Sequence, residues 1–155
     1  MSTRRDARER VLQALYAAEL SGDHAQHIID HVLAPPFGKD RDGLRFAERL
    51  FLKTLDHAEA TDALVQKHAQ NWELGRMAVL DRLVLRMAAT ELLHMEEVPP
   101  KVTLNEALEV AKKFSTEKSG PFVNGILDAL LRELRKEGKI TKRGRGLVET
   151  TLPQG

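Results

Sequence analysis

Two groups of residues in this sequence have the types and spacing that grip a nucleic-acid strand. Arg4, Arg5, Arg8 and Arg10 crowd one segment that also carries Tyr16, while Lys112, Lys113 and Lys118 precede Phe122. Cations neutralise phosphates and aromatic faces stack on bases, so the combination suits single strands. Cations in the first turn of a helix oppose its dipole by about 0.3–1 kcal/mol, which makes Arg4, Arg5 and Arg8 locally unfavourable and suggests a use. The plain alternative is that Asp6 and Glu9 pair with them and solvate the helix end. Phe122 has its own two readings. It stands at a helix start, where free backbone N–H groups suit a phosphate, or it packs into a neighbouring element as apolar residues usually do.

Other chemistries find little support. His24, His27 and His31 recur with Asp23 and Asp30 nearby, yet no second cluster supplies the supporting shell a metal site needs. There is no Gly-rich phosphate loop and no nucleophile elbow. With no cysteine, disulfides and thiolate sites are excluded and a reducing compartment fits. The expectation is a protein that is not an enzyme and holds no cofactor or metal. A net charge of +1 exerts no overall pull on nucleic acid, so charge distribution has to decide. No apolar run approaches the ~20 residues of a membrane span and no secretory signal opens the chain, which predicts a soluble cytoplasmic protein.

The elements that must position these residues read as helices throughout. Ala7, Val11, Ala14, Leu15 and Ala18 form an apolar stripe over about 4–21, with Arg5, Arg8, Leu12, Tyr16 and Leu20 on a neighbouring face. A short helix near 24–33 ends at Pro35-Pro36, and a long helical segment over about 40–70 bends near Thr61 or Asp62. A helix opening after Asn71-Trp72-Glu73-Leu74-Gly75 and ending near His94 is apolar round most of its circumference, hence central. Asp81 and Glu91 fall inside that apolar arc. Buried ions need partners; Arg86 and Arg76 are candidates for internal pairing, which is expected for Glu91, whereas Asp81 is either paired internally or covered by another protein. Thr103 and Glu106 have capping-box spacing. The core arc of the helix starting near Pro121 is Val123, Ile126, Leu127, Leu130 and Leu134. Beyond it, residues 139–155 form a basic tail, including Lys139, Lys142, Arg143 and Arg145, expected to be flexible.

The runs VTLNEALEVAKKF and FVNGILD, preceded by LRMAATELL and by RRDARERVLQALY, resemble the NusB family of bacterial transcription antitermination factors, from about Arg4 to about Leu134. The resemblance implies an all-α compact domain over 1–138 made of two packed three-helix bundles, about 4–70 and about 71–137. It also implies an RNA-binding factor that joins the small-subunit ribosomal protein NusE on boxA-type RNA and helps RNA polymerase resist termination, notably in rRNA operons, with other Nus factors. Its motif-matched positions are Arg4, Arg5, Arg8, Gln13, Tyr16, Asp81, Arg86, Asn105, Glu106, Phe122, Val123, Asn124 and Gly125. On this basis Arg4, Arg5, Arg8, Lys112, Lys113 and Lys118 are expected to hold phosphates, and Tyr16 and Phe122 to stack bases. Leu12, Leu20, Asp81 and Leu85 would face the protein partner, and Gly125 would allow close helix approach. Gly120-Pro121 and Lys118 depart from the family pattern, the last toward stronger phosphate binding. Two rival readings are a self-associating protein, a homodimer when free, with a Leu12, Tyr16 and Leu20 seam, and the RNA-binding part of an rRNA cytosine methyltransferase without room for its catalytic domain.

Overall fold

Thr3 opens the first helix. Its hydroxyl accepts the Asp6 N–H at 3.0 Å while the Asp6 carboxylate takes the Thr3 N–H at 3.1 Å, a reciprocal cap that satisfies two otherwise unpaired donors. The same bonds hold the Asp6 carboxyl below its usual range. Helix α1 (Arg4–Ser21) ends at Gly22, whose φ of 72° is the left-handed conformation that glycine adopts without a Cβ penalty. The computed structural model describes residues 3–69, 77–116 and 118–140, and these are all-α with no strand among them.

After α1 comes the single turn α2 (Ala25–Ile28), which widens into a π-helical turn (Ile29–Leu33) before the 3-10 turn at Pro35–Phe37. Asp40 then caps α3 (Arg41–Asp56) by accepting the Gly43 N–H. A Cβ on Gly43 would sit 2.5 Å from an Asp40 carboxylate oxygen, so this cap needs glycine. The chain breaks at His57, not at Thr61 or Asp62 as expected, and resumes as α4 (Ala58–His68). Thr61 sits within α4 and turns its hydroxyl back to the His57 and Ala58 carbonyls. There follow α5 (Val79–His94), α6 (Pro100–Phe114) and α7 (Ser119–Lys136). The expected start of the central helix at Asn71–Gly75, the candidate partner Arg76 and the tail beyond residue 140 lie outside the described residues.

Helix α5 is the centre. Leu83 to Leu92 is a run of buried residues, because α1, α3, α4, α6 and α7 all pack on it. Helix α4 packs on α5 and α7 more than on α3, so the break at His57 is where the chain changes neighbours. Arg86 bridges to Asp62 of α4 at 2.9 and 2.7 Å, and Arg82 reaches Glu19 of α1 at 3.0 Å.

Glu91 finds a partner in α1, while Arg86 is taken by Asp62. Arg8 donates two bonds to it, at 2.7 and 2.8 Å, both side chains being 2 % exposed. Thr103 of α6 adds a third donor at 3.0 Å. Thr103 therefore does not cap a helix, as its spacing with Glu106 suggests; α6 begins earlier, at Pro100, where a proline costs no hydrogen bond. Gly125 also differs from expectation, since a Cβ there would meet nothing within 4 Å, whereas one on Gly120 would meet Leu108 and Lys112 side-chain carbons at 3.0–3.2 Å. Gly120 is thus the glycine of the close α6–α7 approach.

Arg8→Met removes the bidentate cation from a buried carboxylate, so urea denaturation should show a loss of about 3–5 kcal/mol. Arg8→Met combined with Glu91→Met and Thr103→Val, which removes every member of the cluster, should regain most of that loss.

Candidate nucleic-acid interface

The pairings between helices fix which faces meet. Arg5 binds Glu106 through two bonds of 2.8 and 2.9 Å, and one turn further on Glu9 of α1 accepts from Lys113 at 2.9 Å. Both numbers rise together, so α1 and α6 run in the same direction on this face. Against α5 the order reverses, Arg8 with Glu91 and Glu19 with Arg82, so α1 and α5 are antiparallel. The end of α6 and the turn after it consequently advance along α1 past Glu9 in the direction of Tyr16. The head of α5 also lies toward that end.

Charges on this face are largely spoken for. The hydrogen bonds from Arg5 hold Glu106 below its ordinary carboxyl value, and Glu106 in turn holds the Arg5 guanidinium above its own. Lys113 is held by Glu9, and Lys112 stands 3.9 Å from Glu109 within its own helix. Arg4 makes no ion pair among the described residues; its guanidinium lies over the Phe46 ring at 4.4 Å. Together with Arg5, Val98, Pro99 and Val102 it lines an open groove of about 400 Å³. Lys118 is exposed and also makes no ion pair among the described residues.

The turn between α6 and α7 is built from hydroxyls. The Thr116 N–H donates to Ser119 Oγ, the Ser119 N–H returns to the Thr116 carbonyl, and Ser119 Oγ donates to Ser115 Oγ at 2.9 Å. Pro121 sits in the first turn of α7, where its missing N–H is harmless. This arrangement places Lys118 and Phe122 on one cavity with Met77, Ala78 and Asp81 from the head of α5 and Thr116 and Ser119 from the turn. Phe122 is half-buried, one flank packed on the core. The hydroxyl spacing Ser115-Thr116-x-x-Ser119 is the sequence signal for this turn, and the cavity itself had none.

Three expected site residues are inside the protein. Arg8 cannot hold a phosphate, since it is buried against Glu91 and its charged form is already secured there: burial opposes the charge, but the Glu91 bonds outweigh it. Leu12 and Leu85 are fully buried core residues and cannot face a protein partner; the apolar side of α1 is simply wider than its stripe suggests. With Leu12 inside, the seam proposed for self-association loses one end. Tyr16 and Leu20 remain outside, 39 % and 67 % exposed. Asp81 is neither paired nor on an open surface; it is 8 % exposed and its Oδ1 has no hydrogen-bond partner. His27 and His31 stand with ring centroids 4.4 Å apart, and no group of three or more His, Asp or Glu able to hold a metal occurs among the described residues. Nor, among them, is any helix long and apolar enough to cross a membrane.

Comparison with known proteins places these features in a family. The model of the NusB family matches residues 5–132. A relative from Salinibacter ruber named transcription antitermination protein NusB is 49 % identical over 148 residues, covering 96 % of this chain and 92 % of its own. Among solved structures, T. maritima NusB superposes with a TM-score of 0.78 at 35 % identity, over 85 % of this chain and 92 % of that one. A chain from a complex of antitermination factors NusB and NusE with dsRNA gives 0.76 at 27 % identity, over 84 % and 96 %.

The Arg5–Glu106 pair sets a pH dependence. Glu106 is held below its ordinary value of about 4.5, so the pair stabilises the fold above that pH and its contribution is lost as the carboxylate protonates below it. Glu106→Gln should therefore lower stability at neutral pH, and the gap from the parent should close as urea titrations are taken to lower pH.

Proposed function

The chain belongs to the NusB family, and on that premise we propose that it is a transcription antitermination factor that binds boxA-type single-stranded RNA together with the ribosomal protein NusE. It acts in the cytoplasm, without catalysis, as part of the complex with other Nus factors that helps RNA polymerase resist termination, notably in rRNA operons. The observation that carries the RNA-binding assignment is the pairing of an unengaged cation with an aromatic: Lys118 and Phe122 line one open cavity at the start of α7. Phosphate on the cation and base on the ring is the division of labour that single-strand binders use.

The parallel run of α1 and α6 supports a strip from the groove at Arg4 toward Tyr16 and the Lys118 turn. Arg4, Lys112 and Lys118 supply its freest cations. Arg5 and Lys113 contribute with the charge that remains after their carboxylate partners, and 49 % of the Arg5 side chain is open to solvent. Arg8 acts from beneath by holding α1 against α5. Leu20, the most exposed large apolar side chain among the described residues, with Tyr16 one turn before it, is the surface for NusE. Residues 1–138 form the RNA-binding domain, and the basic residues of 139–155 add general attraction to phosphates.

RNA affinity measured against salt tests the assignment. Lys118→Ala should flatten the salt slope by about 0.7, the value for one phosphate contact on a single strand. Phe122→Ala should cost about 1–3 kcal/mol with little change in slope. Unaltered binding in both variants would defeat the RNA assignment. For the protein surface, Leu20→Asp is expected to weaken NusE binding in a pull-down while leaving binding to RNA alone intact.

A further inference from the structure

Two histidines distant in sequence meet face to face. His57 stands at the break between α3 and α4 and His94 in the last turn of α5, with ring centroids 3.7 Å apart and planes 11° from parallel. That spacing leaves no room for water between the rings, so two positive charges there would repel with little screening. The stack suits two neutral imidazoles, or one neutral and one charged, but not two cations.

Among the described residues no counter-charge stands by the pair. His27 lies 3.7 Å from Asp23 and His68 2.7 Å from Glu133, whereas no ion pair or hydrogen bond among the described residues involves the ring of His57 or of His94. Asp56 and Glu59 beside His57 and Glu96 after His94 are exposed, and Glu97 is held by Arg49 at 2.7 Å. Farther along α4, Asp62 holds Arg86. Lys53, one turn before His57 on α3, adds a further cation. Burial, His57 and Lys53 together hold His94 below its ordinary value of about 6.5.

The pair also sits where a release can be local. The His57 N–H donates to the Lys53 carbonyl at 3.0 Å and the His57 carbonyl accepts the Thr61 N–H at 2.9 Å, so these bonds tie the corner to its own chain and not to α5. The stack is a tie across to α5. Eight residues earlier, Arg49 and Glu97 link α3 to the turn after α5, and that second link survives if the rings part.

We propose that the His57–His94 stack is a proton-sensitive latch, which holds the α3–α4 corner on the end of α5 while at least one ring is neutral and frees the first turn of α4 when both are charged. The unfolded chain protonates His94 near its ordinary value, and the folded chain does so only at lower pH. The stability contributed by the latch is therefore whole above about pH 6.5 and is lost as the pH falls below it.

An NMR titration of the histidine side chains in the parent protein tests this, with the exposed rings of His24, His27 and His31 as internal references. The two stacked rings are expected to protonate in separate steps, and the backbone amides of residues 58–61 to shift with the later one. His57→Phe, which keeps a ring to stack on and removes the second charge, should raise the His94 midpoint toward its ordinary value. Taking the pH from about 7.5 to about 5 should cost His94→Phe about 2–4 °C less in Tm than it costs the parent. A single shared step for both rings, an unmoved His94 midpoint in His57→Phe, or equal Tm losses in parent and His94→Phe would each overturn the latch. Separate steps that leave residues 58–61 unmoved would reveal a coupled pair that holds nothing, and would overturn it as well. The titration of the parent protein is decisive even if a variant fails to fold.

Discussion

A charge inside a protein must be met by an opposite one, and this fold is arranged around one such meeting. Glu91 sits on the most enclosed helix, where no water reaches it, and Arg8 arrives from the first helix with a bidentate grip. Thr103 contributes a hydroxyl from a third helix, and the Phe46 ring lies 5.2 Å under the guanidinium. Four helices thus share one polar point in an otherwise apolar interior. Such a cluster adds little net stability compared with apolar residues of the same volume, but it tolerates few alternative registers, because sliding α1 by a turn would strand two ions. Directional pairing of α1 with α5 and α6 follows from it, and the outward strip follows from that direction.

The same logic governs the surface. With formal charges nearly balanced, many of the cations among the described residues are spent on the protein's own carboxylates: Arg5 on Glu106, Lys113 on Glu9, Arg49 on Glu97 and Lys67 on Glu133. Bare attraction for nucleic acid is correspondingly modest. Cations such as Arg4 and Lys118 that have no ion pair among the described residues carry the more weight for it, and aromatic faces matter as much as charge does. A protein built this way gains from a second protein sharing its RNA, which agrees with a family whose members include a solved complex of NusB and NusE with RNA.

Much of this was legible in the sequence, for reasons that differ by residue. The all-α class, the bounds of α1, and the buried arc of α7 from Val123 to Leu134 come from helical periodicity, which tertiary packing here reinforces. The need of Glu91 for a partner was legible too, but not the partner, because Arg8 lies 83 residues away and nothing local marks the pair. Reading Arg8 as a surface cation fails for the same reason. Leu12 and Leu85 were misplaced because a helix wedged among several others buries more than one stripe. The capping-box spacing of Thr103 and Glu106 proved uninformative, since Pro100 begins the helix and both side chains serve other helices. Gly120 and Gly125 look alike in sequence; only the neighbouring helix tells them apart.

The long separations within the central cluster also bear on how the chain is made. Helix α1 leaves the ribosome ahead of the other helices described, yet its two bidentate attachments are to residues 83 and 101 positions later. Until α5 and α6 have emerged, Arg8 lacks Glu91 and the apolar stripe of α1 has only α2, the turn after it and α3 to lie on. The opening segment therefore waits for the middle of the chain to be locked, and nascent chains interrupted before residue 91 would leave that helix without the partner of Arg8.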